Sequence, residues 1–285
     1  MEKLSNERGK GNKRQPDDSV CIDNCVKICS YQKKLLEDSG SEQEFSKAMF
    51  HVPEPWSGNL KTAKILFVGS NPSIDLKEKL FPKFESEKWS EHKKNEVVNF
   101  FSDRLTKLEN LNSRYWKGVI KYAACILKPV EGIKPIASFK AEDKMDIASQ
   151  IALTEIVHCK SRDETGVPEA AQKCFDIHTK KVIKYFLQNS SGSEKKKTVV
   201  FLGATARNII CVEALTDNAA VDRKKIAEYF GVSNQNARFI CIPHPSALKQ
   251  WTSWASGKVY KGLSDSTRKE IIYEELKQYG YSLPS

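Results

Sequence analysis

Four short, almost uninterrupted apolar runs constrain this chain most: KILFV (64–68), IALTEIVHC (151–159), TVVFLG (198–203) and RFICI (238–242). A strand that reads apolar at nearly every position is covered on both faces, as in a parallel sheet between two layers of helices. The segments between the runs supply those helices. Residues 93–109 and RYWKGVIKYAACIL (114–127) carry apolar and aromatic residues at helical spacing. EAAQKCFDIHTKKVIKYFLQ (169–188) reads as a long amphipathic helix with Pro168 in its first turn. Further helices are expected near 21–38, from ATARNII onward, and over 265–278. HVPEPWSGNL (51–60), a Pro-bearing stretch at 128–140 and a Ser/Gly/Lys stretch at 189–197 read as connections. The predicted fold is a three-layer αβα domain around a four-stranded, mostly parallel sheet. It is expected to occupy 20–285 as one domain, behind a disordered basic and polar tail at 1–19.

Composition narrows what such a domain does. With 285 residues and 40% apolar content the chain can bury a substantial core. No apolar run approaches the roughly 18–20 residues that cross a bilayer, so no membrane partner is expected. The charged N-terminus lacks the apolar segment of a secretory signal, and a cytoplasmic protein is expected, nucleoid-associated in a prokaryote. Lys and Arg outnumber Asp and Glu by 46 to 36, a balance that suits a polyanionic partner as well as a solvated basic surface. Eight cysteines in such a chain argue against a disulfide framework. Cys125, Cys211 and Cys241 lie in apolar runs, where a thiol packs as a small hydrophobe.

In a parallel sheet, ligands bind at the carboxyl ends of the strands. That rule gathers GSNPS, HCKS, GATA and HPSAL on one rim. Asn-Pro after a strand is also an ordinary loop opening, and a histidine at a strand end is often purely structural. The four segments together, however, resemble the uracil-DNA glycosylase superfamily. Gly69-Ser70-Asn71-Pro72-Ser73 resembles its first motif and His244-Pro245-Ser246-Ala247-Leu248 its second. LTEIVHCKSRDETGVPEAAQKC (153–174) and FLGATA (201–206) are similar to segments of its iron–sulfur, family-4-like branch. The likeness runs in order over about residues 60–250.

The resemblance implies a uracil-DNA glycosylase-like fold and a monofunctional DNA glycosylase of base-excision repair, acting as a monomer on DNA with a damaged base. Such an enzyme flips a nucleotide from the stack and hydrolyses the bond between sugar and base. The sugar becomes oxocarbenium-like and the base leaves as an anion, so the site must hold a water near C1′ and donate to a base oxygen. By resemblance Asn71 holds the water and His244 donates to the leaving base. An amide takes no proton near neutrality, so Asn71 positions rather than activates; Asp75 is a candidate carboxylate helper. Gly69, Ser70 and Glu155 fall at base-binding positions, with Phe81 or Phe84 as a stacking aromatic or simply core. Ser73, Gly203, Thr205 and Ser246 are candidate DNA phosphate contacts, though each Ser is equally an N-cap. Leu248 stands at the wedge position, or else packs on Trp251 or Trp254. Lys249, Lys258 and Lys261 add positive charge beside it.

Two departures stand out. Many members carry an Asn on the central strand to read uracil through one donor and one acceptor, and here the place holds Glu155. An ionised carboxylate only accepts, and a protonated one needs a raised pKa. Uracil, hypoxanthine, xanthine or another deaminated base are all open, as is a side chain that points elsewhere. The second departure concerns a cofactor. None is required for the chemistry, but the iron–sulfur branch holds a structural [4Fe–4S] cluster on two N-terminal and two central cysteines. Cys159 and Cys174 match the central pair. Cys25 and Cys29, with Cys21 as alternative, would complete the set, although C-x3-C-x3-C is not the usual C-x-x-C. A zinc site, or a helical face using Cys as a hydrophobe, is the other reading. A DNA-binding protein of the same fold without turnover is the alternative function. A Rossmann-like nucleotide enzyme fits less well, since GSNPS has one glycine.

Overall fold

The computed structural model describes residues 50–51, 54–72, 83–84, 91–107, 111–127, 138–160, 167–189, 197–214, 222–233, 236–242, 244–245, 250–252 and 259–261. In chain order the strands are β1 (Phe50–His51), β2 (Ile65–Gly69), β3 (Lys83–Phe84), β4 (Ile151–Glu155), β5 (Lys197–Leu202), β6 (Ala237–Ile242), β7 (Gln250–Thr252) and β8 (Val259–Lys261). Four of them form the central sheet, all parallel, in the order β4-β2-β5-β6. β1 pairs antiparallel with β3, and β7 with β8. The expected α/β architecture is therefore present, with its strands within two residues of prediction at their starts.

The two faces of the sheet are separated by the alternation of its side chains. Ile65 and Phe67 of β2 join Ile151, Leu153, Val200, Leu202, Ile240 and Ile242 in one core, under α2 (Arg114–Leu127) and α3 (Ala141–Ser149). Leu66 and Val68 join Ala152, Val199, Phe201, Phe239 and Cys241 in the other. That second core lies under α4 (Val167–Cys174), α5 (Lys180–Gln188), α6 (Gly203–Glu213) and α7 (Arg223–Phe230). Phe67 and Phe201 are fully buried on opposite faces, which is why neither strand shows polar alternation in the sequence. Cys125, Cys211 and Cys241 are buried, as their apolar settings predict.

Several boundaries differ from the sequence reading, each for a local reason. The run 151–159 stops being a strand at Glu155, because Ile156 and Val157 turn to donate to the carbonyls of Gly69 and Ser70. The helix expected over 93–109 is α1 (Glu91–Asp103), tightened to a 3-10 turn at Arg104–Thr106. The helix expected over 169–188 holds a π-helical turn, Phe175–Thr179, between α4 and α5. α3 and α7 are additional; α7 is capped by Asp222, whose carboxylate accepts from the amides of Lys224 and Lys225. The segments 1–49 and 262–285, including the helices expected there, lie outside the described residues.

Chain order places the crevice. From β2 the chain goes out to β4, then crosses back to β5 on the other side of β2 and on to β6. Connections from β2 and β5 thus leave in opposite directions, and the carboxyl ends of such a strand pair frame the ligand crevice of an open α/β sheet. Those ends carry Gly69-Ser70-Asn71 and Leu202-Gly203.

Candidate active site

Gly69 ends β2 opposite Glu155, the last residue of β4. Both side-chain directions fall on the α2 face, and the Glu155 carboxylate lies over Gly69. A Cβ built there would meet Cδ of Glu155 at 2.9 Å and Oε1 at 3.1 Å, with Oε2 closer still. Gly69 thus leaves open the space that the Glu155 carboxylate occupies, and Glu155 is directed onto the rim instead of away from it. Glu155 is buried. Below it, Thr179 Oγ1 lies 2.8 Å from the Glu155 carbonyl and 2.9 Å from that of Ile156, a hydroxyl supplied by the π-turn. His158 Nε2 stands 3.4 Å from the hydroxyls of Thr154 and Thr179. This buried polar cluster holds the end of β4 in place.

Asn71 is half-buried, and its Nδ2 donates to the Pro72 carbonyl at 3.1 Å. That bond commits the amide nitrogen to the loop; Oδ1 is the acceptor of the amide. Ser70 is buried, and among the described residues its Oγ has no hydrogen-bond partner. Gly203 opens α6 at φ +82, a conformation that favours glycine, and a Cβ there would be 3.2 Å from Cβ of His244. Thr205 lies half-buried in the same first turn. His244 is half-buried and stands against Tyr115 of α2, ring centroids 5.3 Å apart and planes inclined by 32°.

Tyr115 was not singled out by sequence, and neither was Gly118 one turn further on. A Cβ at Gly118 would be 2.5 Å from Cβ of Pro245, so α2 docks directly on the turn that carries His244. A glycine inside an amphipathic helix costs about 1 kcal/mol relative to alanine, and that cost was the signal of a close approach. The Tyr115 hydroxyl oxygen is enclosed and, among the described residues, has no hydrogen-bond partner. Burial first, then the carboxylates of Glu155 and Glu54, push its pKa well above the ordinary 10.0; the hydroxyl stays protonated.

The second carboxylate that bears on Tyr115, Glu54, sits in a charged cluster. Glu54 is held by Arg104 Nη1 at 2.9 Å, Lys160 Nζ at 3.7 Å and the Ser57 hydroxyl at 2.8 Å. Burial works to raise the Glu54 pKa, but Arg104, Lys160 and Ser57 together outweigh it and hold the carboxyl below its ordinary value. The Glu54 amide donates to the His158 carbonyl at 2.8 Å, which ties the 54–57 loop to the chain leaving β4.

The expected site residues Gly69, Ser70, Asn71, Glu155, Gly203, Thr205 and His244 all lie at the carboxyl ends of the four parallel strands. Phe81, Ser73, Asp75, Ser246, Leu248, Lys249, Trp254 and Lys258 lie outside the described residues. Phe84 is placed in its backbone only, opposite Phe50; Trp251 and Lys261 lie in the β7–β8 ribbon. Of the cluster candidates, Cys159 and Cys174 are buried in one core, while Cys21, Cys25 and Cys29 lie outside the described residues. Among the described residues no three His, Cys, Asp or Glu side chains form a group that could hold a metal. No described helix is long and apolar enough to cross a membrane.

The fold and the rim together define an open α/β domain with its crevice between β2 and β5, and a histidine, an asparagine and a carboxylate along that edge. The family model of the uracil DNA glycosylase superfamily matches residues 55–276, a span that contains all four central strands. The chain belongs to that superfamily. No protein of curated function matches it.

Proposed function

We propose that the protein is a monofunctional DNA glycosylase that hydrolyses the N-glycosidic bond of a deaminated base. The observation that carries the reading is the delivery of Asn71 and His244, from strands β2 and β6, to the two sides of the β5 end, where Gly203 closes on His244. The reaction then needs little from the protein beyond position and electrostatics. The bond from C1′ to the base nitrogen lengthens, leaving positive charge on the sugar and negative charge on the base. Oδ1 of Asn71 accepts a hydrogen bond from a water and holds its oxygen toward C1′. A ring N–H of His244 donates to the base oxygen where charge grows; one such donor is worth about 3–4 kcal/mol of barrier. Water adds to C1′, its proton passes to solvent, and the base departs. Gly203, Thr205, Ser73 and Ser246 offer phosphate contacts at the flanks, and Leu248 fills the stack.

A structural [4Fe–4S] cluster is a separate proposal. Two buried thiols on β4's exit and the end of α4 suit half of its ligand set, and two of Cys21, Cys25 and Cys29 would supply the rest. It would brace the N-terminal segment against the domain and take no part in hydrolysis.

The experiment is alkaline cleavage of labelled oligonucleotides carrying a single uracil, hypoxanthine, xanthine or mismatched thymine, single- and double-stranded. The reading predicts strand breaks at one class of lesion with the wild type, lost in Asn71→Ala and in His244→Ala. DNA retention with no cleavage of any lesion would favour the alternative, a binding protein of the same fold.

A further inference from the structure

The departure at Glu155 has a partner in space. We infer that this protein reads the flipped base with two residues sharing the work of one amide: Glu155 accepts from a ring N–H and the Tyr115 hydroxyl donates to the neighbouring carbonyl. The inference rests on the glycosylase reading and names its substrate class, a base presenting an N–H beside a C=O.

Three observations place the two groups on the same face of the sheet, at its rim. Glu155 lies across Gly69 on the α2 face of the sheet. α2 is seated on the His244 turn by the contact of Gly118 with Pro245, and Tyr115, three residues before Gly118, shares that helix face. Tyr115 consequently stands against His244, the residue facing the leaving base. Among the described residues the Tyr115 hydroxyl has no hydrogen-bond partner, and its oxygen is enclosed although the residue is only half-buried. Leaving a buried hydroxyl unsatisfied costs about 1–3 kcal/mol, and a base carbonyl arriving in the crevice would remove that cost. The raised pKa keeps the proton on the oxygen.

The chemistry follows from the inventory of donors and acceptors. An asparagine amide offers one carbonyl acceptor and one N–H donor, which matches the N–H and C=O of uracil. A carboxylate keeps the acceptor and loses the donor; a neutral tyrosine restores it from a second element. Uracil, hypoxanthine and xanthine each present the required N–H and C=O. Cytosine and adenine present an amino group where the carbonyl should be and an unprotonated ring nitrogen where the N–H should be. They would set donor against donor and acceptor against acceptor. Thymine shares the edge of uracil, so the pair does not separate those two.

The test reads binding without turnover. Affinities are measured for duplexes carrying cleavage-resistant 2′-fluoro nucleotides of uracil, cytosine, hypoxanthine or adenine, and for an abasic analogue. The wild type is expected to prefer uracil over cytosine, or hypoxanthine over adenine. Tyr115→Phe should erase roughly tenfold of that preference, the size of one neutral hydrogen bond, and leave abasic affinity unchanged. In a Glu155→Gln background, whose amide carries its own donor, Tyr115→Phe should cost little. A preference untouched by Tyr115→Phe, an equal loss on abasic DNA, or no preference in the wild type would each overturn the pair. A preference that needs both residues, in a protein that cleaves no lesion, would sustain the pair and sink the glycosylase reading.

Discussion

Gly69 offers a perturbation whose effect separates recognition from folding. In Gly69→Ala the new methyl would stand 2.9 Å from Cδ of Glu155, against an ordinary contact of 3.4 Å or more. The carboxylate must therefore retreat by on the order of 1 Å, since contacts below about 3.5 Å are repulsive between carbons. The obstacle is the end of a side chain and not backbone, and the position lies within a strand where alanine is tolerated. Relief of the glycine's unfolded-state entropy contributes about 0.4–1 kcal/mol in the opposite direction. Stability should thus change little, with Tm within a few degrees of the wild type. A misplacement of about 1 Å in a positioning group can cost on the order of 100-fold in rate, close to 2.7 kcal/mol of barrier. Single-turnover cleavage of the preferred lesion, set beside thermal melting, measures both. Full activity at unchanged Tm would show that the Glu155 carboxylate has no part in base recognition.

Four further outcomes follow from particular contacts. Gly203→Ala forces a side chain into φ +82 and toward His244, and should lose about 1–3 kcal/mol of stability together with activity, read by denaturant unfolding and cleavage assay. Thr179→Val leaves the Glu155 and Ile156 carbonyls without their hydroxyl donor, and should lower stability by about 1–3 kcal/mol in the same unfolding assay. Glu54 has its folded pKa depressed below 4.5, so its ionic contribution is complete above that value and is lost as pH falls through the lower, folded one. Unfolding free energies from neutral to acid pH should decline more steeply in the wild type than in Glu54→Gln. If the [4Fe–4S] proposal holds, anaerobically purified protein contains iron and acid-labile sulfide, and Cys159→Ser or Cys174→Ser removes both.

The layered fold was legible because each central strand is buried on both faces, and burial of that kind leaves few polar residues in 65–68 or 199–202. The rim was legible for the same reason: an apolar run ends where the chain meets solvent, and Asn71, Gly203 and His244 each follow such an end. The run 151–159 reads as one strand because Ile156 and Val157 are as buried as β4 itself while leaving the sheet. Periodicity does not distinguish those two fates. The π-turn at Phe175–Thr179 was invisible because one extra residue per turn leaves an amphipathic pattern nearly intact. Tyr115 was missed on different grounds. Its role depends on which helix crosses which strand end, and in RYWKGVIKYAACIL it reads as one more apolar position. Glu155 departs from the family pattern in the sequence itself, but the donor proposed to complement it comes from a helix that the sequence does not place beside it.

The most direct test of the central claim is a paired measurement on Asn71→Ala: single-turnover cleavage of the lesion that the wild type prefers, and affinity for the same DNA in cleavage-resistant form. The account predicts cleavage reduced by two or more orders of magnitude with affinity unchanged, because a water-holding amide acts on the reaction and not on the DNA. Cleavage at the wild-type rate would contradict it, and so would a loss of affinity large enough to explain the loss of cleavage.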